Sequence, residues 1–243
     1  MILGRSLVDI FRGSIVMIAL LGSSIAALAL VIERLIYFFR NRFNTGRGLV
    51  ELRRQLTNSG PAEALNWART QNNPLGRMFT VAIENMSLSA EELGDLLYSL
   101  ILEERIRFER LLGGMGSLAN IATLLGLLGT VTGLITAFNN IAVTGSGGPA
   151  VVSGGIAEAL ITTAFGLFIG IPTLFMYNYF AKKSADQTIA LESTSDRVVV
   201  MLSRMKARNG QSPEPMPAAP ASAPKPQPQP KSAVAAEDSG WKF

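Results

Sequence analysis

The sequence predicts an all-α membrane protein with three transmembrane helices, the second and third of which extend into long cytoplasmic helices. Of its 243 residues, 48% are hydrophobic and only 16% are charged. A mean hydropathy of +0.30 at this length is typical of a protein that crosses a membrane several times. Three apolar stretches also reach the roughly 20 residues that a bilayer-spanning helix needs. Together these observations predict the fold class.

The distribution of positive charge predicts the orientation of the three spans. Arginine and lysine concentrate after span one, before span two and after span three, whereas the connection between spans two and three is uncharged. Because positively charged segments stay in the cytoplasm, we expect the N-terminus on the outer side of the membrane and the C-terminus in the cytoplasm. The predicted segments are span one at 13–39, a cytoplasmic helical segment at 40–112, span two at 113–143, a periplasmic loop at 144–152, span three at 153–180 and a cytoplasmic helix at 181–208.

Span one also has a feature of a cleaved signal peptide, since Ala27-Leu28-Ala29 resembles a cleavage site. However, the apolar run continues through Ile32, and cleavage would export the arginine-rich segment that follows it. We therefore expect a retained membrane anchor.

The two ends of the chain have distinct compositions. Residues 1–12 have the spacing of a short amphipathic helix that lies in the membrane interface, although a frayed terminus is the alternative. Residues 209–243 are rich in Pro and Ala and cannot bury a core, so we expect a disordered tail. That tail is either a tether or docking segment, or dispensable.

Turn signals divide the cytoplasmic segment into helices. Gly46 and Gly48 are expected to break the chain after span one. Ser89 and Glu92 have the spacing of a capping box, which predicts the start of a helix. No break is expected before Gly113-Gly114, so this helix should continue from the cytoplasm into span two.

The composition argues against an enzyme that acts on covalent bonds. The chain has no cysteine and no histidine, which excludes thiol nucleophiles, disulfides and imidazole bases. It also lacks the glycine-rich phosphate loop of nucleotide-binding proteins. No cofactor, metal site or nucleic-acid partner is therefore predicted, and the excess of basic residues is explained by membrane topology.

Glu158 is the only charged residue between Arg110 and Lys182. An ionised carboxylate at membrane depth costs several kcal/mol, so such a residue faces protein or water rather than lipid. Spans two and three offer no cation to pair with it, which leaves hydroxyls, water or another chain as partners. The alternative is a glutamate hydrated near the outer interface, at the end of its helix.

Small and hydroxylated residues surround Glu158 in the sequence. Such residues let membrane helices approach closely, and their hydroxyls either bond across helices or line a wet path. Tight packing alone would account for the glycines but not for threonines that cluster with the acid. Steps of four in span three give Gly154, Glu158, Thr162, Gly166 and Gly170, and span two contributes Gly126, Thr130 and Gly133. Span one is mostly bulky and is expected to face lipid.

Two stretches carry a resemblance to a known family. GLLGTVTGLITAFNNIA at 126–142 and GGIAEALITTAFGLFIGIPTLFMYNYF at 154–180 strongly resemble the MotA/TolQ/ExbB proton channel family. Three spans with a cytoplasmic segment at 40–112 are similar to its ExbB/TolQ branch. Gly154 departs from the proline often found there, and the Pro-rich tail is not a family feature.

The resemblance implies a ring of five copies that encloses two copies of an ExbD/TolR-like partner with one span. The proton-binding aspartate would belong to that partner, and the transported ion would be H⁺. By the same resemblance, Thr130 and Thr163 would line the pore with Thr162 nearby. Glu158 would be a supporting group on the proton pathway rather than the carrier.

The resemblance further implies a motor in the bacterial inner membrane, driven by the proton motive force, with the N-terminus in the periplasm. The work would be TonB-type import, Tol-Pal-type envelope maintenance or gliding motility, with a TonB/TolA-like or motility effector as a further partner. Two other classes stay open on the residues alone. One is a passive helical membrane scaffold, and the other is an oligomeric secondary transporter.

Overall fold

The computed structural model describes residues 15–145 and 147–208, which form seven α-helices and no β-strand. The predicted interfacial segment 1–12 and the tail 209–243 lie outside the described residues. The helices are α1 (Ile15–Arg40), α2 (Thr45–Asn58), α3 (Pro61–Thr70), α4 (Pro74–Glu84), α5 (Ala90–Glu109), α6 (Leu112–Thr144) and α7 (Pro149–Arg208).

Three helical stretches, which contain α1, α6 and α7, are long and apolar enough to cross a membrane. Helix α7 has 60 residues and is about 90 Å long at 1.5 Å per residue, so a large part of it lies outside the bilayer. The predicted all-α fold with three spans is confirmed, and the chain is a multi-pass membrane protein.

The connection between α6 and α7 is shorter than the loop predicted at 144–152. Helix α6 continues to Thr144, where Gly145 ends it with a left-handed φ of 66°, and α7 begins at Pro149. Proline suits the first turn of a helix because the amide hydrogen that it lacks has no partner there. Pro172 lies inside α7, where it leaves the carbonyl of Phe168 without its usual helical donor.

The helix predicted to run unbroken from Ser89 into span two is divided at Leu111. Arg110 leaves the helical conformation with a ψ of 135°, and Leu111 has a left-handed φ of 66°. Gly113 and Gly114, where the sequence favours a break, lie inside α6. The prediction of one continuous helix is wrong, and the segment before span two forms the separate helix α5.

The break after span one also differs from the prediction. The chain leaves α1 after Arg40, and Asn44 caps α2 by accepting the amide hydrogen of Arg47 at 3.0 Å. Gly46 and Gly48 therefore lie within α2 rather than ending a helix. A Cβ at Gly48 would meet the end of the Leu75 side chain on α4, which would have to shift to accommodate it.

The capping box at the start of α5 is confirmed. The amide of Glu92 donates to Ser89 Oγ at 3.2 Å, and the amide of Ser89 donates to Glu92 Oε2 at 3.0 Å. The hydrogen bonds from Ser89 lower the pKa of the Glu92 carboxyl because they favour its ionised form.

An aromatic core joins α1, α5 and α7 where the chain continues from the spans into the other helices. Phe38 of α1 stacks on Phe180 of α7 with ring centroids 5.4 Å apart, and on Phe108 of α5 at 6.3 Å. Below them, Leu93 and Leu97 of α5 continue the same buried cluster along α7. This core fixes α5 beside the cytoplasmic part of α7.

Glu104 is a buried carboxylate in the same region. Arg77 of α4 donates to its two oxygens at 2.7 and 2.6 Å, and Arg107 donates at 2.8 Å. The hydrogen bonds to Glu104 raise the pKa of Arg77 further. Because every buried charge needs compensation, this pairing explains how an acid only 1% exposed is accommodated.

Candidate functional site

Glycines bring α6 and α7 into close contact within the membrane. A Cβ at Gly166 would lie 2.7 Å from the carbonyl oxygen of Ala122 and 2.7 Å from Cα of Gly126. A Cβ at Gly133 would lie 2.7 Å from the carbonyl oxygen of Gly155. Side chains larger than hydrogen would force the helices apart at these positions. The packing predicted for Gly126, Gly133 and Gly166 is what this geometry requires.

Gly170 extends the contact toward the cytoplasm. A Cβ there would overlap Thr123 Oγ1 and lie 3.0 Å from the carbonyl oxygen of Ala119. Gly170 therefore also lies where α6 and α7 pack closely.

Gly154 does not take part in this contact, contrary to the prediction. A Cβ at Gly154 would meet nothing within 4 Å, whereas one at Gly155 would lie 2.6 Å from the carbonyl oxygen of Gly133. The physical reason is the helical repeat: strict steps of four residues drift by about 40° each, so Gly154 points about 160° away from Gly170. Alternating steps of three and four would have identified Gly155.

Thr162 is buried in the contact rather than lining a surface of the chain. Its side chain is 0% exposed and packs against Gly129, where a Cβ would overlap it. Its hydroxyl donates to the carbonyl of Glu158 on its own helix at 2.7 Å. The prediction that Thr162 lines a pathway is therefore not supported, and Gly129 is a packing residue that the sequence reasoning missed.

Thr163 joins the two helices directly. Its hydroxyl donates to the carbonyl oxygen of Gly126 on α6 at 2.9 Å, and Gly126 has no side chain to obstruct the approach. The side chain is only partly buried, so its other face remains accessible at the edge of the contact.

Thr130 lies one helical turn beyond Gly126 on α6, and it is also only partly buried. Its hydroxyl donates to the carbonyl of Leu127 at 2.6 Å, which leaves its lone pairs available to accept a further hydrogen bond. The structure thus brings Thr130 and Thr163, which are 33 residues apart in sequence, to the same part of the helix pair.

Glu158 is partly buried, and within the described residues its carboxylate has no hydrogen-bond or ion-pair partner. It lies five residues before Thr163 on one helix, and the two side chains therefore point about 140° apart around the axis. Glu158 and Thr163 therefore do not share one face of this chain. A carboxylate at this depth still requires a partner from water or another chain.

Span one packs on α6 and α7 along one face only. Met17 and Leu20 of α1 are fully buried and belong to a cluster with Ala122 and Ile169. Its opposite face is apolar and exposed, with Ile25 at 64% and Leu28 at 61%. This second face has the character of a lipid-facing surface, whereas the first supports the α6–α7 pair.

Arg34 was not singled out from the sequence. It is 1% exposed, and its Nη1 donates at 3.3 Å to the carbonyl oxygens of Arg107 and Phe108, in the last turn of α5. The break at Leu111 leaves these carbonyls without helical donors, so Arg34 caps the end of α5. Glu33 pairs with the guanidinium at 2.7 Å. This role of Arg34 depends on the break at Leu111. Because the sequence did not predict that break, it could not reveal the role.

The chain is similar in sequence to proteins of a known family. The model of the MotA/TolQ/ExbB proton channel family matches residues 70–193, slightly more than half of the chain. The chain is 27% identical over 194 residues to a putative biopolymer transport protein ExbB-like 3 of Synechocystis sp., a match that covers 79% of this chain and 92% of that protein.

Two further relatives are named biopolymer transport protein ExbB. The protein of Neisseria meningitidis serogroup A is 28% identical over 206 residues, which cover 79% of this chain and 92% of the relative. The protein of Pseudomonas putida is 39% identical over 139 residues, which cover 51% of this chain and 40% of the relative. Because the matched region includes both helices that carry Thr130, Glu158 and Thr163, the chain belongs to the MotA/TolQ/ExbB proton channel family, on its ExbB branch.

Proposed function

We propose that the chain is the channel and stator subunit of an inner-membrane motor that couples the proton motive force to work on the cell envelope. The observation that carries the proposal is the hydrogen bond from the Thr163 hydroxyl to the carbonyl oxygen of Gly126 at 2.9 Å, with the partly buried Thr130 one helical turn further along α6. Hydroxyls fixed in this way can accept and donate hydrogen bonds to water or to a protonated group of another chain.

The motor requires more than one copy of the chain and a second protein. A single copy leaves polar edges at membrane depth, so we propose a ring of five copies in which the threonine edge faces the centre. An ExbD/TolR-like protein with one span would occupy that centre and supply the aspartate that carries H⁺. Family membership supports this arrangement.

Glu158 would act as a supporting group in this ring. Its carboxylate points away from Thr163 and has no partner within the described residues, so a neighbouring copy or pore water would complete its environment. The periplasmic N-terminus and cytoplasmic C-terminus follow from the charge distribution.

TonB-type import is the first candidate for the energised process, because relatives at 28% and 39% identity are named biopolymer transport proteins. Tol-Pal-type envelope maintenance and gliding motility are the alternatives, each with its own effector. A deletion of the gene distinguishes the three by loss of nutrient import, loss of envelope integrity or loss of motility.

The channel role is tested by complementation. The deletion strain receives a gene that encodes either the double variant Thr130→Ala plus Thr163→Ala or the single variant Glu158→Ala. We expect the energised process to be lost while the complex with its partner still assembles, as judged by co-purification. Thr70→Ala is the matched control, because Thr70 makes the same type of bond to the carbonyl three residues earlier but lies in the cytoplasmic segment. Full activity of the membrane variants would favour a passive scaffold instead.

A further inference from the structure

A groove between α2 and the end of α7 is not used by the proton pathway. Its volume is about 600 Å³, and it lies in the cytoplasmic part of the molecule. Leu49, Val200, Met201 and Met205 form its apolar part. Four arginines surround these side chains, namely Arg53, Arg197, Arg204 and Arg208, and Asp196 is the one acid among the lining residues.

The arginines of this groove are uncompensated. Within the described residues, none of the four makes an ion pair or a side-chain hydrogen bond. By contrast, Arg54 and Arg69 on the neighbouring helices α2 and α3 each pair with a glutamate, at 2.7 and 2.6 Å. An apolar surface bordered by unpaired arginines fits an amphipathic partner with acidic groups.

Helix α5 presents a surface of the complementary kind. Glu91, Asp95, Tyr98, Leu102 and Ile106 follow one another at steps of three and four and therefore share one face of the helix. The apolar members are exposed, with Tyr98 at 56% and Ile106 at 71%. We call this the acidic stripe of α5.

The acidic stripe lies on the opposite side of α5 from the core. The buried residues Leu93, Leu97 and Ile101 pack toward α7, and the helical repeat places the stripe about 140° from them. Its exposed apolar side chains are therefore not covered by any described part of the same copy.

The first part of the acidic stripe, from Glu91 to Tyr98, lies at the same depth below the membrane as the groove. Lys206 near the end of α7 donates to the carbonyl oxygens of Ser87 at 3.0 Å and Leu88 at 3.3 Å, just before α5 begins. Helices α5 and α7 run antiparallel from this point toward the membrane. Because both rise about 1.5 Å per residue, Asp95 is level with the part of α7 around Val199.

We propose that the acidic stripe of α5 docks into the arginine groove of a second copy of this chain. Copies inserted in one membrane share their orientation, so two surfaces can meet only if they lie at the same depth, as these do. The stripe carries acidic side chains and the groove carries arginines, so their charges are complementary. Both surfaces also contain apolar side chains that can pack together. The proposed occupant of the groove is therefore a second copy of the chain and not an unrelated acidic protein.

The two surfaces differ from each other, so the contact would be heterologous. Each copy would offer its stripe to one neighbour and its groove to the other, and such contacts close into a ring if the rotation between copies permits. The proposal concerns assembly in the cytoplasm and does not depend on proton conduction.

The first test uses the absence of native cysteine in the chain. Asp95→Cys is co-expressed with a differently tagged copy that carries Arg197→Cys, Val200→Cys or Arg204→Cys, and membranes are treated with a mild oxidant. We expect a disulfide between the two tags for at least one pair, because docked side chains come within the roughly 4.4–6.8 Å Cα separation that a disulfide needs. Each variant expressed alone should give none.

The matched control replaces Asp95→Cys by Glu63→Cys, an exposed acidic position on α3 that lies outside the stripe. Cross-linking by the control equal to that of Asp95→Cys would overturn the proposal. So would the absence of any cross-link for all three pairs in protein that is correctly inserted, or a cross-link of the groove cysteines to another protein only.

The second test reverses the charges on either side. Glu91→Arg with Asp95→Arg, or Arg197→Glu with Arg204→Glu, should lower the yield of the cross-link between stripe and groove about tenfold. The yield is measured in each case with a cysteine pair at unaltered positions of equal depth, such as Tyr98 and Asp196. Mixing the two reversed copies should restore it. A loss without restoration would contradict the charge pairing, and a folded variant is confirmed by unchanged solubilisation and thermal stability.

Discussion

At the residue scale, Thr163 contributes to packing and, in the function that we propose, also to transport. Its hydroxyl bonds to Gly126 across the helix pair, and its remaining surface lies at the edge where Thr130 is also accessible. A serine would preserve the hydroxyl, whereas a valine would preserve the shape and remove it. These two variants separate the contribution of the hydroxyl from that of the volume.

We predict that Thr163→Val lowers the free energy of unfolding by about 0.6 kcal/mol, the average for a hydrogen bond between membrane helices. The same variant should lose most of the energised process, while Thr163→Ser retains both properties. Thermal unfolding of the complex in detergent and complementation of a deletion measure the two effects. If the Thr163→Val protein is fully active, the Thr163 hydroxyl is not part of the proton pathway.

Leu111 is the one non-glycine with a positive φ among the described residues. A left-handed conformation costs an L-residue with a Cβ about 1–2 kcal/mol. We therefore predict that Leu111→Gly leaves stability unchanged or raises it by up to about 1 kcal/mol, although it removes a partly exposed apolar side chain. Leu111→Val should lower it, because a β-branched residue tolerates this region poorly.

The comparison of these two variants by thermal unfolding tests the break directly. If Leu111→Val is more stable than Leu111→Gly, α5 and α6 form one continuous helix in the membrane and the break is absent.

At the element scale, the contact between α6 and α7 depends on particular glycines rather than on a general supply of small residues. Gly155 faces Gly133 with no room for a methyl group, while the adjacent Gly154 faces open space within the same copy. The pair provides a matched comparison in one helix, since the intrinsic preference for alanine over glycine is the same at both positions.

We predict that Gly155→Ala destabilises the chain by about 1–3 kcal/mol, the usual cost of overpacking. Gly154→Ala should instead stabilise it by up to about 1 kcal/mol through helix propensity. The midpoints of thermal unfolding in detergent measure both. Equal midpoints would mean that the helices are not packed as closely at Gly155 as the structure indicates.

The same elements show which features the sequence could predict. The capping box of Ser89 and Glu92 was predictable because it depends on residues three apart. The break at Leu111 was not, because no glycine or proline marks it and distant contacts compensate it, chiefly those of Arg34 with the end of α5. Tertiary contacts of this kind leave no local pattern.

Within the candidate site, the sequence could predict which residues are unusual. It could predict less well which way their side chains point. The sequence pattern identified Thr130, Thr163 and Glu158 as unusual groups at membrane depth. It did not show that Thr162 would be buried against Gly129. The direction of Thr162 relative to α6 depends on how α7 is rotated against α6, which the close approach at Gly155 and Gly166 sets.

At the scale of the whole molecule, α7 connects the membrane site to the cytoplasmic core in one helix. Its N-terminal part carries Glu158 and Thr163, and its C-terminal part packs on α5 and borders the arginine groove. A rearrangement of copies around a central partner would therefore be transmitted along a rigid element. The central claim concerns the membrane end, where the threonine edge is proposed to line the path of H⁺.

Proton entry into proteoliposomes tests this claim most directly. The chain is reconstituted with its single-span partner, a potassium diffusion potential is imposed, and an internal dye reports pH. We predict that Thr130→Ala plus Thr163→Ala, and separately Glu158→Ala, reduce the rate at least about tenfold, which corresponds to 1.4 kcal/mol in the barrier. Thr70→Ala should conduct normally. Unchanged proton entry in the variants, in complexes of normal composition, would contradict the account.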